Sequence, residues 1–102
     1  MDKKQLEIAL ETFRGACKEK GHPIDRMCLD EAYPGVFDSS YNLQISAGWT
    51  HKLSCWESID FLFDVLFETT SADVRKCIFM IQITDALGVT CQSEVVEKKI
   101  AS

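Results

Sequence analysis

Basic residues are scarce in the middle of this 102-residue chain. Between Asp25 and Asp73 only Arg26 and Lys52 are basic, against nine acids, a balance of −7, while the flanks together hold nine bases and seven acids. A segment so poor in Lys and Arg lacks the footprint that phosphate backbones require, which argues against direct nucleic-acid binding. Apolar runs are short too, and none approaches the roughly 18 residues that a bilayer span needs. The opening MDKKQLEIALETF is charged and helical in pattern, without a signal peptide's apolar centre and small-residue cleavage site, so a cytoplasmic protein is expected. No glycine-rich turn precedes a helix in the phosphate-binding manner. The five cysteines, Cys17, Cys28, Cys55, Cys77 and Cys91, are odd in number and never form CxxC. They are expected to be reduced, small buried hydrophobes, with no disulfide framework. His22 and Cys28 are separated by a proline turn, no spacing supports a closed zinc site, and no metal or cofactor is expected.

What is present is enough apolar material, 46% of residues, for one domain over residues 1–102. Asp2 to Lys20 reads as a helix, with Leu6, Ala9, Leu10, Phe13 and Cys17 on one stripe and Gly21 and Pro23 as its stop. Arg26 to Glu31 reads as a short strand. AYPGVFDSS reads as turn and loop. Tyr41 to Thr50 alternates apolar Tyr41, Leu43, Ile45, Ala47 and Trp49 with polar or small neighbours, the mark of a strand with one wet face. Ser54-Cys-Trp-Glu57 fits a capping box that opens a second helix, which Thr69-Thr70-Ser71 closes. Cys77 to Thr84 is apolar and β-branched enough for a central strand. Asp85-Ala-Leu-Gly88 reads as a hairpin loop with Gly88 left-handed, and Val89 to Ser93 as the returning strand. The order α-β-β-α-β-β predicts an α+β sandwich: an antiparallel sheet of about four strands covered by two main helices.

The second helix poses the functional question. SCWESIDFLFDVLFETTS is rich in large apolar residues, yet it holds Glu57, Asp60, Asp64 and Glu68 and no Lys or Arg. At 100° per residue the four carboxylates fall within roughly 80° of one another, opposite an apolar side centred on Ile59, Leu62, Phe63, Leu66 and Phe67. Like charges spaced i, i+4 cost a few tenths of a kcal/mol per pair. Glu57 is favoured by the helix dipole, but Glu68 near the C-terminal end is not. The arrangement is either a solvated face or a docking face for a basic surface. Phe61 is expected to project beside this line with Val65 next to it, as an anchor with a charged rim. Glu31, Tyr33 and Asp38, in and beside the acidic, aromatic loop, are a second candidate contact region. For catalysis the most reactive arrangement on offer is His51 four residues before Cys55, the latter at a helix N-terminus that would lower its thiol pKa. No third orienting group accompanies the pair, and no catalytic set is expected.

In size, acidity, mixed α and β content and lack of a catalytic set, the chain resembles the small acidic immunity proteins of bacterial toxin systems. These include the partners of contact-dependent growth inhibition toxins and of nuclease colicins. The resemblance implies a non-enzymatic inhibitor, monomeric or weakly dimeric, that blocks a basic toxin domain, often a nuclease, without touching nucleic acid or membrane itself. A small acidic secretion chaperone or dimeric adaptor is the alternative, and a thiol enzyme using Cys55 and His51 the third reading.

Overall fold

The structure is a computed structural model that describes residues 3–31 and 41–95. Helix α1 (Lys3–Glu19) buries Leu6, Leu10, Phe13 and Cys17 of the stripe its sequence predicts, with Ala9 half-buried beside them. It ends in a Schellman motif. The His22 N–H donates to the Cys17 carbonyl at 2.9 Å and the Gly21 N–H to the Lys18 carbonyl at 3.0 Å. Gly21 sits at φ +84°, a conformation glycine adopts without a Cβ clash.

The fold is α+β, with one four-stranded sheet in the order β1-β2-β3-β4: β1 (Arg26–Glu31), β2 (Tyr41–Ser46), β3 (Ile78–Asp85) and β4 (Gly88–Glu94). The outer pairs, β1 with β2 and β3 with β4, are antiparallel as expected. The central pair is not: β2 and β3 run parallel, so the sheet is mixed. The cause is what lies between them. A 3₁₀ turn (Gly48–His51), helix α2 (Cys55–Thr69) and a short helix α3 (Ala72–Lys76) carry the chain back to the starting end of β2. A crossover of that length is what a parallel pair requires.

Two local signals conceal this path in the sequence. The apolar alternation of β2 continues to Trp49, but the strand stops at Ser46. There the Gly48 N–H donates to Asp25 Oδ2 at 3.0 Å, and the Thr50 hydroxyl donates to the Ala47 carbonyl at 2.7 Å, bending the chain into the turn. Trp49 leaves the strand register, and its indole N–H donates to the Pro23 carbonyl at 2.9 Å. Ser71, which reads as the end of α2, is also the N-cap of α3, its hydroxyl accepting from the Val74 N–H at 3.4 Å.

Helices α1 and α2 pack on one sheet face. Leu10, Phe13, Ile59, Leu62 and Leu66 join Leu43, Ile45, Ile81 and Ile83 in a core where each is at most 2% exposed. Full burial of one such side chain contributes about 1.5–3 kcal/mol. The other sheet face is polar. Cys28, Gln44, Gln82 and Gln92 lie in register across all four strands. The Cys28 thiol donates to Gln44 Oε1 at 3.2 Å, Gln44 Nε2 to Gln82 Oε1 at 3.1 Å, and Gln82 Nε2 to Gln92 Oε1 at 3.1 Å. The β3–β4 hairpin turns through Ala86 and Leu87, with Gly88 at positive φ as expected and Asp85 Oδ1 accepting from the Leu87 N–H at 2.7 Å.

The cysteines overturn one expectation. Cys55 and Cys91 form a disulfide across 36 positions, with Cα atoms 5.8 Å apart, tying the start of α2 to β4. No short-range spacing announces it, because the pair meets only once α2 packs over β4. Cys17, Cys28 and Cys77 remain thiols, and burial pushes the Cys17 thiol up to about 11. No helix among the described residues is long and apolar enough to cross a membrane.

Candidate functional site on the acidic face of the second helix

Helix α2 begins with the capping box that its sequence predicts. The Glu57 N–H donates to the Ser54 hydroxyl at 3.1 Å, and the Ser54 N–H donates back to Glu57 Oε1 at 3.2 Å. Both interactions satisfy donors that the first helical turn leaves without intrahelical partners. The helix buries Ser58, Ile59, Leu62, Val65 and Leu66. At 100° per residue, that buried side is centred about 70° from the apolar centre expected from the sequence, turned toward Val65. Phe63 and Phe67 are therefore half-buried at one flank of the core side rather than at its middle.

All four carboxylates nevertheless face outward: Glu57, Asp60, Asp64 and Glu68 are exposed along one side of α2. They are not equivalent. Glu57 is engaged in the cap. Glu68 Oε1 lies 3.7 Å from Lys20 Nζ at the end of α1, and both side chains are substantially solvent-exposed. Such a pair contributes at most about 1 kcal/mol and is weakened by salt. Asp60 and Asp64, one turn apart, form the middle of the line.

Phe61 and Val65 do not project beside these acids. Val65 is fully buried, and Phe61 is half-buried in an aromatic joint. Its ring centroid lies 4.4 Å from that of His22 and 5.3 Å from that of Trp49, and the His22 and Trp49 rings meet edge to face at 4.8 Å. The joint locks the end of α1, the 3₁₀ turn and α2 together.

The aromatic that does project is Trp56, 68% exposed and one helical turn before Asp60. The sequence pattern conceals it, because the apolar side centred on Ile59, Leu62, Phe63, Leu66 and Phe67 reaches toward Trp56, while the observed buried side turns away from it. Its signal was its place on the helix, well outside the buried arc and i−4 to Asp60. Further along the same flank the Arg75 guanidinium lies over the Phe67 ring, 4.4 Å from its centroid.

The other proposed contacts are not brought to this face. Glu31 is exposed at the end of β1, the edge strand farthest in the sheet from β4, over which α2 packs. Tyr33 and Asp38 lie outside the described residues. Cys55 carries no thiol beside His51 in this structure, since its sulfur is bonded to Cys91. Among the described residues, no group of three or more His, Cys, Asp or Glu is placed to hold a metal ion.

No protein-family model matches the chain, and no curated protein or solved structure matches it either. Function must therefore be read from the surface itself. Carboxylates along one side of one helix do not face each other across a cleft, as paired acid/base catalysis requires. They do create a local negative potential able to steer and orient a cationic surface. An exposed indole at the margin adds a large, rigid contact area of the kind that dominates binding energy in protein interfaces.

Proposed function

We propose that the chain is a non-enzymatic binding protein whose α2 face docks on a basic protein surface, in the manner of an immunity protein neutralising a basic toxin domain. The observation that carries this reading is the outward line of Glu57, Asp60 and Asp64 with Trp56 exposed at its margin. Asp60 and Asp64 supply the electrostatic centre, Trp56 the apolar anchor, and Glu68 a weaker outer charge shared with Lys20. The −7 balance of the segment from Asp25 to Asp73 extends the attraction beyond the contact itself. Steering of this kind is screened over about 8 Å at physiological ionic strength, so association slows as salt rises.

The test is co-expression of the chain with the product of the gene adjacent to its own, reading cell survival, with surface plasmon resonance on the purified pair. Rescue by the wild type and loss of rescue in the Asp60→Lys/Asp64→Lys variant, at an unchanged urea midpoint, supports the reading. Unchanged binding by the double variant refutes it. A stable homodimer on size-exclusion chromatography that buries α2 also refutes it, and favours the dimeric adaptor.

A further inference from the structure

A second feature, independent of the acidic line, lies at the other side of the α2 N-terminus. A cleft of about 200 Å³ opens there against β3 and β4, and its wall includes both sulfur-bearing residues of the disulfide together with His51, Ser58 and Thr90. Ser58 is the only buried polar residue among the described residues, at 1% exposure, and its hydroxyl has no hydrogen-bond partner there. An unpaired buried hydroxyl is costly, so the cleft favours a polar or anionic occupant able to accept from it. Ser58 follows Cys55 by three residues on α2, which sets its hydroxyl on the same helix side as the disulfide.

The two sulfurs differ in a way that gives the bond a direction. Cys55 is the first residue of a 15-residue helix, whereas Cys91 lies on β4; Cys91 is the less exposed of the two, but both line the cleft. A thiolate at a helix N-terminus is stabilised by the helix dipole and leaves faster on exchange. Cys91 has no such help.

We infer that this cleft is a thiol–disulfide exchange site, where a low-molecular-weight thiol reacts with the Cys55–Cys91 bond in the folded protein. The incoming thiolate attacks Cys91 Sγ, forming a mixed disulfide there. The Cys55–Cys91 bond breaks, and Cys55 Sγ departs as a thiolate at the head of α2. A second small thiolate then attacks the sulfur of the bound thiol, releasing the small-molecule disulfide and the Cys91 thiolate. Two small thiols are oxidised by two electrons, and the two protons they lose end on Cys55 and Cys91. Ser58 positions the reaction by donating to sulfur in the cleft, and the reverse sequence reforms the bond.

The probe is reduced glutathione in millimolar excess, with acid quenching, alkylation by iodoacetamide and peptide mapping by mass spectrometry. Before reduction, alkylation in denaturant should count three thiols, those of Cys17, Cys28 and Cys77. Five thiols in protein prepared without reductant would overturn the inference. During reduction the expected intermediate carries glutathione on Cys91 and alkyl on Cys55. Its rate of formation should be proportional to glutathione, unchanged by urea well below the unfolding transition, and several-fold lower in Ser58→Ala. A rate that climbs steeply with urea would show that the bond opens only by unfolding. Glutathione on Cys55 instead of Cys91 would overturn the direction, and an unchanged rate in Ser58→Ala would remove that residue's role.

Discussion

Breaking the Cys55–Cys91 bond should cost the domain a large part of its stability. The bond closes a loop across 36 positions. The chain-entropy relation for cross-links gives about 4 kcal/mol at 25 °C for a loop of that size. Domains of this length have total stabilities of about 5–15 kcal/mol, so a quarter or more is at stake. The assay is paired urea denaturation of the oxidised protein and of the same protein held in tris(2-carboxyethyl)phosphine, followed by far-ultraviolet circular dichroism. With an m-value of about 1–3 kcal/mol per molar, the reduced form should unfold at a midpoint lower by roughly 1–4 M. Thermal midpoints should separate by on the order of 20 °C. The Cys55→Ser/Cys91→Ala variant should follow the reduced curve and be indifferent to reductant. That control separates the cross-link from any effect of reductant on the three remaining thiols. Superimposable curves for the oxidised and reduced protein would refute the reasoning.

Ser54→Ala should lower stability by about 1 kcal/mol through loss of the α2 N-cap, checked by the urea midpoint. Leu62→Ala, at a fully buried position in α2, should cost about 2–5 kcal/mol by the same measurement. Trp56→Ala should leave that midpoint within about 0.5 kcal/mol, since its side chain is mostly in water, while speeding dissociation of the basic partner in surface plasmon resonance. The Cys17 thiol has an ordinary value of 9.0 and is raised to about 11 by burial, so its neutral form favours the folded state. That contribution is fully present below pH 9 and is lost as pH rises from 9 to 11, at a slope of at most about 1.4 kcal/mol per pH unit. Cys17→Ala should therefore show a shallower decline than wild type in urea melts across this range.

Features whose cause is local were legible in the sequence. The Ser54/Glu57 capping box, the Gly21 helix stop, the Gly88 hairpin and the Leu6–Leu10–Phe13–Cys17 stripe each depend on residues within a few positions of one another, and each stands as read. Features decided by distant partners were not. Trp49 continues the alternation of β2 perfectly, yet the carboxylate of Asp25 and the carbonyl of Pro23 draw it out of the strand. The parallel pairing of β2 with β3 depends on where the crossover returns, and periodicity carries no information about direction. At the candidate site the carboxylate line was legible, because its spacing alone places it on one helix side. The exact rotation was not, since it depends on how α2 packs against α1 and β4 rather than on any local pattern. That error of about 70° is what exchanged Phe61 for Trp56 as the projecting aromatic.

The row from Cys28 through Gln44 and Gln82 to Gln92 is a chain with a polarity. Gln44 and Gln82 each accept from the β1 side and donate toward β4, where Gln92 accepts the last bond of the row. Turning one amide over would set two donors or two acceptors against each other, so the three can only turn together. In the reversed arrangement Gln44 would have to donate to sulfur, a weak acceptor. The thiol at one edge thus biases the orientation of amides on three other strands, and Met80 Sδ, which accepts from Gln82 Nε2 at 3.7 Å, holds the middle of the row in the same sense.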